Sequence, residues 1–148
     1  DYTVLLVDAN LRHPSLHEHL GLPGEPGLSD YLIEDTPLSE LLVHPKGIDP
    51  LTILPGGRAL LNSAEMLNPP KMSKLVDELK TRYAGRIVIF DLPPVLDASD
   101  AMAFSPYVDA TLLVVEEGKT TKKEVENAVD MLSSTNILGT VLNKSGKD

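Results

Sequence analysis

Two short apolar segments, each ending in an aspartate, most constrain the fold of this chain. Residues 4–8 read VLLVD, and residues 87–91 read IVIFD. Continuous apolar runs of this length are typical of parallel strands that are covered on both faces. The carboxyl end of such a strand is where open α/β sheets bind their ligands. Asp8 and Asp91 are therefore predicted to lie at a functional edge, where two carboxylates can hold a hydrated Mg²⁺ together with nucleotide phosphates.

Predicted strands and helices alternate along the chain. Five strands are predicted, at residues 4–7, 51–55, 87–90, 111–115 and 137–142. Helices are predicted between and before them, at residues 14–20, 28–33, 37–43, 63–68, 70–84, 99–104 and 121–134. The first helix is expected to begin at Pro14, with His13 as a weak cap. Short connections between parallel strands place helices on both faces of a sheet. We expect an α/β fold, a three-layer, doubly wound, mostly parallel sheet, in a single domain over residues 1–148.

Composition excludes several function classes. The chain has no cysteine, so neither a disulfide framework nor a thiolate metal site is available. No apolar run approaches the roughly 20 residues that span a bilayer, and no signal peptide is visible, which predicts a soluble, intracellular protein. The formal net charge of −9 argues against nonspecific nucleic-acid binding. Residues 1–50 carry nine acidic and two basic side chains. This acidic third is interpreted either as a solvated face or as a docking surface for a basic partner.

No phosphate-binding loop of the form G-x-x-x-x-G-K-[ST] occurs among the 148 residues. Phosphate-binding α/β domains normally open with a strand, that loop and a helix. The first strand predicted here therefore corresponds to the second strand of such a domain. Two interpretations stay open: the first strand and the loop lie outside this chain, or the chain is a degenerate relative. Gly118-Lys119-Thr120 lacks the upstream glycine and is interpreted as the start of a solvated helix.

Two other groups of polar residues are assigned structural roles. Asp97 and Asp100 flank Ser99 at a predicted helix N-terminus, where acidic side chains are stabilised by the helix dipole. Three histidines lie within seven residues, at positions 13, 17 and 19. Without cysteines nearby, a structural zinc site is not favoured there.

Four segments of the chain, in order, resemble one known family. They read VLLVDANLRHPSLHEHLGLPGEPGLSDYL, LTILPGGRALLNSAEML, IVIFDLPPVLDASDAMAFSPYVDATLLVVEEGKTTKKEV and ILGTVLNKS. They are similar to the cytoplasmic domain of bacterial tyrosine autokinases of exopolysaccharide and capsule synthesis, which are P-loop proteins related to partition and septum-site ATPases. The resemblance implies ATP and Mg²⁺ as cofactors and a tyrosine hydroxyl as phosphoryl acceptor. It also implies a membrane polysaccharide co-polymerase (chain-length determinant) as partner, homo-oligomeric rings, and a cytoplasmic location at the membrane.

The same resemblance implies roles for five residues. Asp8 matches the first Asp of the family's D-x-D-x-R motif, which helps to hold Mg²⁺ and is the candidate for activating the tyrosine hydroxyl. Arg12 matches the Arg of that motif, near the phosphates or the neighbouring subunit. Asp91 matches the Walker B Asp, which binds Mg²⁺ through water. Asn10 and Asn143 are assigned to nucleotide binding, and Asn143 resembles the Asn that contacts adenine.

Two departures from the family pattern leave a second function open. Asn10 stands where the family has a second Asp, and it keeps an acceptor oxygen but loses the negative charge. The family phosphorylates a C-terminal tyrosine cluster, whereas the tyrosines here are scattered, at positions 2, 31, 83 and 107. Both departures favour a catalytically weak or inactive nucleotide-responsive module that binds the co-polymerase. A partition-type ATPase is a third alternative, which the acidic charge disfavours. Asp8 itself has a simpler alternative role, as a cap of the turn that follows it.

Overall fold

The computed structural model describes residues 2–67, 70–82 and 85–146. The chain divides into two compact units, Asp1–Pro93 and Pro94–Asp148. In both units helices alternate with parallel strands, which confirms the predicted α/β class. The single domain predicted over residues 1–148 stays a prediction. None of the helices in the described ranges is both long enough and apolar enough to cross a membrane.

The first unit is built on a parallel sheet of three strands. These are β1 (Thr3–Asp8), β2 (Leu51–Leu54) and β3 (Arg86–Asp91), in the order β2-β1-β3. The central strand β1 pairs with both neighbours and buries Leu5 and Val7 completely. Burial of a Leu or Val side chain contributes about 1.5–3 kcal/mol. The register pairs Asp8 with Asp91, so the two aspartates end adjacent strands side by side.

The described part of this unit has five helices: α1 (Leu16–Leu20), α2 (Leu28–Glu34), α3 (Leu38–Leu41), α4 (Ser63–Leu67) and α5 (Pro70–Arg82). The longest of them, α5, buries the apolar stripe that the sequence predicts, at Met72, Leu75, Val76 and Leu79. The spacing of these four residues places them on one face of a helix, which is why the pattern is recognisable in the sequence.

The second unit contains the two remaining strands. Its elements are α6 (Asp100–Phe104), a 3₁₀ turn (Ser105–Tyr107), β4 (Thr111–Glu116), α7 (Lys122–Met131) and β5 (Ile137–Asn143). Strands β4 and β5 are parallel and pair Glu116 with Asn143 at their carboxyl ends. Phe104 is fully buried, and its ring centroid lies 5.7 Å from that of Tyr107. Tyr83 lies outside the described residues.

The predicted boundaries of three elements are wrong. Helix α1 begins at Leu16 rather than at Pro14, because the Asp8 carboxylate accepts the amides of Ser15 and Leu16 and fixes the start of the helix there. The helix predicted over 37–43 ends at Leu41, since Val43 instead pairs antiparallel with Ile53. The helix predicted over 121–134 is α7, which is shorter at both ends and gives way to a turn after Met131.

Candidate functional site

The candidate site is built on the carboxyl ends of β1 and β3. Asp8 and Asp91 are register partners on strands that run about 4.8 Å apart, and partners in register point to the same face of a sheet. Asp8 is fully buried, whereas Asp91 is half-buried. The backbone holds the two strand ends together beyond the last pair, because the Ala9 amide donates to the Asp91 carbonyl oxygen over 2.9 Å.

The two carboxylate oxygens of Asp8 have different environments. Oδ2 accepts the backbone amides of Ser15 over 2.9 Å and of Leu16 over 3.0 Å. Oδ1 is buried and accepts no hydrogen bond. Asp8 therefore does cap the turn that follows it, as the simpler alternative proposed, but only one oxygen is used in this way. The other oxygen is left available for a ligand, and a buried oxygen without a partner is costly unless something binds it.

The electrostatics of the pair favour a cation. Burial raises the pKa of Asp8, and the hydrogen bonds from the backbone amides of Leu16 and Ser15 work in the opposite direction. The pKa of Asp91 is also raised, first by burial and then by the negative charge of Asp8, while His19 opposes the rise. A buried and a half-buried carboxylate of like charge destabilise each other, and a cation between them would relieve both the burial and the repulsion.

The residues present fit a hydrated Mg²⁺. Among residues 2–67, 70–82 and 85–146 there is no group of three or more His, Cys, Asp or Glu side chains that could cage a metal. Mg²⁺ is seldom caged by protein alone, because it keeps several waters and is bound through one or two carboxylates and the phosphates of a substrate. The unbonded Oδ1 of Asp8 and the adjacent Asp91 carboxylate supply such a donor set.

The remaining predicted site residues fall into two places. Asn10 and Arg12 lie in the turn that follows β1, next to Asp8, and both are half-buried. The Asn10 Oδ1 accepts the His13 amide over 3.3 Å. Asn143 ends β5 in the second unit, where it is exposed and its Oδ1 accepts the Lys144 amide over 2.8 Å. Asp8, Asn10 and Arg12 thus lie at or directly after the end of β1, and Asp91 ends β3. The roles assigned to all five residues stay predictions.

One neighbour of Asp8 was not predicted from the sequence. Gly56, in the turn after β2, is so close to the site that a Cβ built on it would lie 3.3 Å from the Asp8 carboxyl carbon. The Gly-Gly pair at residues 56–57, directly after a predicted strand, is the signal that could have indicated a close backbone approach.

Comparison with known proteins identifies the family. No protein-family model matches the chain. Over 145 residues the chain is 30% identical to the putative tyrosine-protein kinase CapB of Staphylococcus aureus, an alignment that covers 97% of this chain and 62% of CapB. The crystal structure of the VpsO kinase domain superposes with a TM-score of 0.88 at 32% identity, covering 97% of this chain and 71% of that domain. The chain belongs to the bacterial tyrosine-kinase family.

A more distant likeness shows the same fold in a septum-site protein. The septum site-determining protein MinD of Pyrococcus horikoshii, solved with Mg-ADP, has a TM-score of 0.73 and 24% identity, over 99% of this chain and 59% of MinD. At that identity the likeness shows a shared fold. Within the bacterial tyrosine-kinase family, the chain spans about three fifths of the length of CapB.

Proposed function

We propose that this chain is part of an ATP- and Mg²⁺-dependent protein-tyrosine autokinase that regulates the polymerisation and export of an exopolysaccharide or capsule. The observation that carries the proposal is the pair of carboxylates at the ends of β1 and β3, with the buried Oδ1 of Asp8 left unbonded. Membership of the bacterial tyrosine-kinase family supports the choice of tyrosine as acceptor.

In this proposal Asp8 and Asp91 hold Mg²⁺, Asp91 through water. When bound, the ion neutralises charge on the nucleotide phosphates. The tyrosine oxygen forms a bond to the γ-phosphorus as the bond to the β–γ bridging oxygen breaks and ADP leaves. The hydroxyl proton passes to the Asp8 carboxylate, which is the candidate general base of the site. Arg12 stabilises the charge on the transferring group, and Asn10 and Asn143 contact the nucleotide. The phosphate-binding loop with its lysine comes from a part of the protein outside these 148 residues.

Asn10 favours one alternative, a nucleotide-responsive module with little or no kinase activity. It is uncharged, and its side-chain oxygen accepts the amide of His13 within its own turn. A neutral amide at this position binds a metal more weakly than a carboxylate does. In this alternative the protein binds nucleotide and signals to its partner through its assembly state.

Both functions share a partner and a location. We propose that the protein binds a membrane polysaccharide co-polymerase on the cytoplasmic face of the cell membrane and forms homo-oligomeric rings. Family membership supports this proposal. Fractionation of cells with and without the co-polymerase tests it: the protein is expected to leave the membrane fraction when the co-polymerase is absent, and retention there contradicts the proposal.

The intact mass of the full-length protein after incubation with Mg·ATP tests the kinase function. The wild type is expected to gain phosphoryl groups on tyrosine, and Asp8→Asn to gain none. Asp49→Asn is the matched control, because it removes the same charge from an exposed position in the first unit. No mass gain together with Mg²⁺-dependent ATP binding would favour the non-catalytic module. No mass gain and no binding would refute the assignment of the site.

A further inference from the structure

Four glycines lie in two neighbouring segments beside Asp8 and helix α1. Gly24 and Gly27 lie in the loop before α2, and Gly56 and Gly57 form the turn after β2; together they are called the glycine cradle. Three backbone hydrogen bonds join the two segments. The amide of Leu28 donates to the Pro55 oxygen over 2.7 Å, that of Ser29 to the Gly56 oxygen over 3.0 Å, and that of Gly57 to the Gly24 oxygen over 3.1 Å.

A Cβ at any of these four positions would approach a neighbouring atom to under 3.0 Å, so that a neighbour would have to shift. A Cβ on Gly27 would collide with the Pro55 oxygen and the Gly57 nitrogen. A Cβ on Gly24 would lie 2.6 Å from the His17 ring, which belongs to α1. A Cβ on Gly56 would lie 2.6 Å from the Pro14 Cβ and 3.3 Å from the Asp8 carboxyl carbon. The cradle therefore packs directly against Asp8 and against the segment that donates hydrogen bonds to it.

Asp30, in helix α2, is hydrogen-bonded to the cradle. Its Oδ2 accepts the Gly27 amide over 2.7 Å, and it lies 3.4 Å from the Ser29 hydroxyl oxygen. A continuous series of contacts thus runs from Asp30 through Gly27 and the Gly56 turn to Pro14. Pro14 precedes the two amides that fix Oδ2 of Asp8.

We propose that the glycine cradle and Asp30 position the Asp8 carboxylate for its metal. The inference rests on the metal-binding role proposed for Asp8. A carboxylate can rotate about its terminal bond, and the amides of Ser15 and Leu16 stop this rotation by holding Oδ2. Oδ1 is then the oxygen that faces the ligand. The cradle keeps the amides of Ser15 and Leu16 in place, because Gly56 packs against Pro14, the residue that precedes them. Gly56 and Asp30 are therefore positioning residues that do not touch the metal.

Gly56→Ala in the full-length protein tests the proposal. The dissociation constant of ADP is measured by titration calorimetry, with saturating Mg²⁺ and again with EDTA. A methyl group at residue 56 displaces Pro14 and the amides, so the Mg²⁺-dependent affinity is expected to fall by about 10- to 100-fold, the range typical of residues that orient a metal ligand. The affinity in EDTA is expected to stay unchanged. Gly146→Ala is the control, because a Cβ there meets nothing within 4 Å and its φ is not positive.

Two variants of Asp30 keep the test decisive if Gly56→Ala does not fold. Asp30→Ala removes the acceptor of the Gly27 amide and should weaken Mg²⁺-dependent binding, whereas Asp30→Asn keeps an acceptor oxygen and should restore much of it. Asp49→Ala is the control for loss of an exposed acid.

Equal losses of affinity with Mg²⁺ and with EDTA would show a purely structural role and overturn the proposal. Wild-type binding by Gly56→Ala would also overturn it, as would wild-type binding by Asp30→Ala where Gly56→Ala does not fold. A wild type whose ADP affinity is independent of Mg²⁺ would refute the metal site itself, and so the proposed function as well.

Discussion

Asp8 and Asp91 are two acids that the fold holds together against their own repulsion. Burial raises the pKa of both carboxyls, and the charge of Asp8 raises that of Asp91 further. A carboxyl with a higher pKa in the folded state stabilises the fold while it is protonated. That contribution is fully present below the ordinary value of 3.8 and is lost as the pH rises through the folded-state pKa. At neutral pH and without metal, the pair therefore lowers the free energy of unfolding.

Removal of one of the two negative charges should show directly how far the pair lowers the free energy of unfolding. Asp91→Asn is expected to raise the free energy of unfolding at pH 7 in the absence of metal, and the gain over the wild type should shrink as the pH falls towards 3.8. Denaturant unfolding at a series of pH values measures the effect. The exposed control Asp49→Asn should show no such pH-dependent gain. A gain that is the same at pH 4 and pH 7 would contradict the electrostatic interpretation.

The same acid should be indispensable for metal-dependent binding. Asp91→Ala in the full-length protein is expected to abolish the Mg²⁺-dependent part of ADP binding, because it removes one of the two carboxylates at the strand ends. Titration calorimetry with Mg·ADP measures it, and Asp49→Ala serves as control. An affinity equal to that of the wild type would remove Asp91 from the site.

Single residues were predictable from the sequence where an apolar run ends in an acid, which is a local pattern. Asp8 and Asp91 were found in this way. Gly56 and Asp30 were not, because their importance lies in contacts with residues far away in the chain. Gly56 touches Asp8 across 48 positions, and no local pattern records such a contact.

At the scale of the elements, local capping chemistry decides where helices begin. Helix α7 follows the capping-box pattern: the Thr121 hydroxyl oxygen accepts the Glu124 amide over 3.3 Å, and the Glu124 carboxylate accepts the Thr121 amide over 2.7 Å. The Thr121 amide and the Thr121 hydroxyl both donate to the Glu124 carboxylate, and these two hydrogen bonds lower the pKa of Glu124. Helix α1 is different, since its cap comes from Asp8 eight residues before Leu16. The sequence pattern therefore misplaced the start of α1 at Pro14.

The capping box should contribute measurably to stability. Thr121→Ala removes the side-chain acceptor of the Glu124 amide and is expected to lower the free energy of unfolding by about 1 kcal/mol. Lys123→Ala, at an exposed position of the same helix, should change it by less than about 0.5 kcal/mol. Denaturant unfolding of the two variants beside the wild type measures the difference. Equal effects of the two substitutions would show that the box does not stabilise α7.

At the scale of the whole molecule, alternation of strands and helices was sufficient to predict the α/β class and the five strands seen in the described residues. This pattern is reliable because a parallel strand must be followed by a crossover, and a helix is its usual form. The division into two compact units was not predicted. It depends on which strands hydrogen-bond to each other, and pairing between strands leaves little trace in a single sequence.

Charge is the other property of the whole molecule, and it separates a kinase from a partition-type ATPase that binds DNA. The chain has 13 basic and 22 acidic side chains. Nonspecific DNA binding needs several Lys or Arg side chains to displace counterions from phosphates, and it weakens steeply with salt. With a net charge of −9, the chain is expected to leave the fluorescence anisotropy of a labelled DNA duplex unchanged from about 50 to 200 mM salt, the range over which phosphate contacts lose affinity. Addition of Mg·ATP should not alter this result, because the nucleotide brings further negative charge. A rise in anisotropy that disappears with added salt would reveal a basic surface and favour the partition-type ATPase.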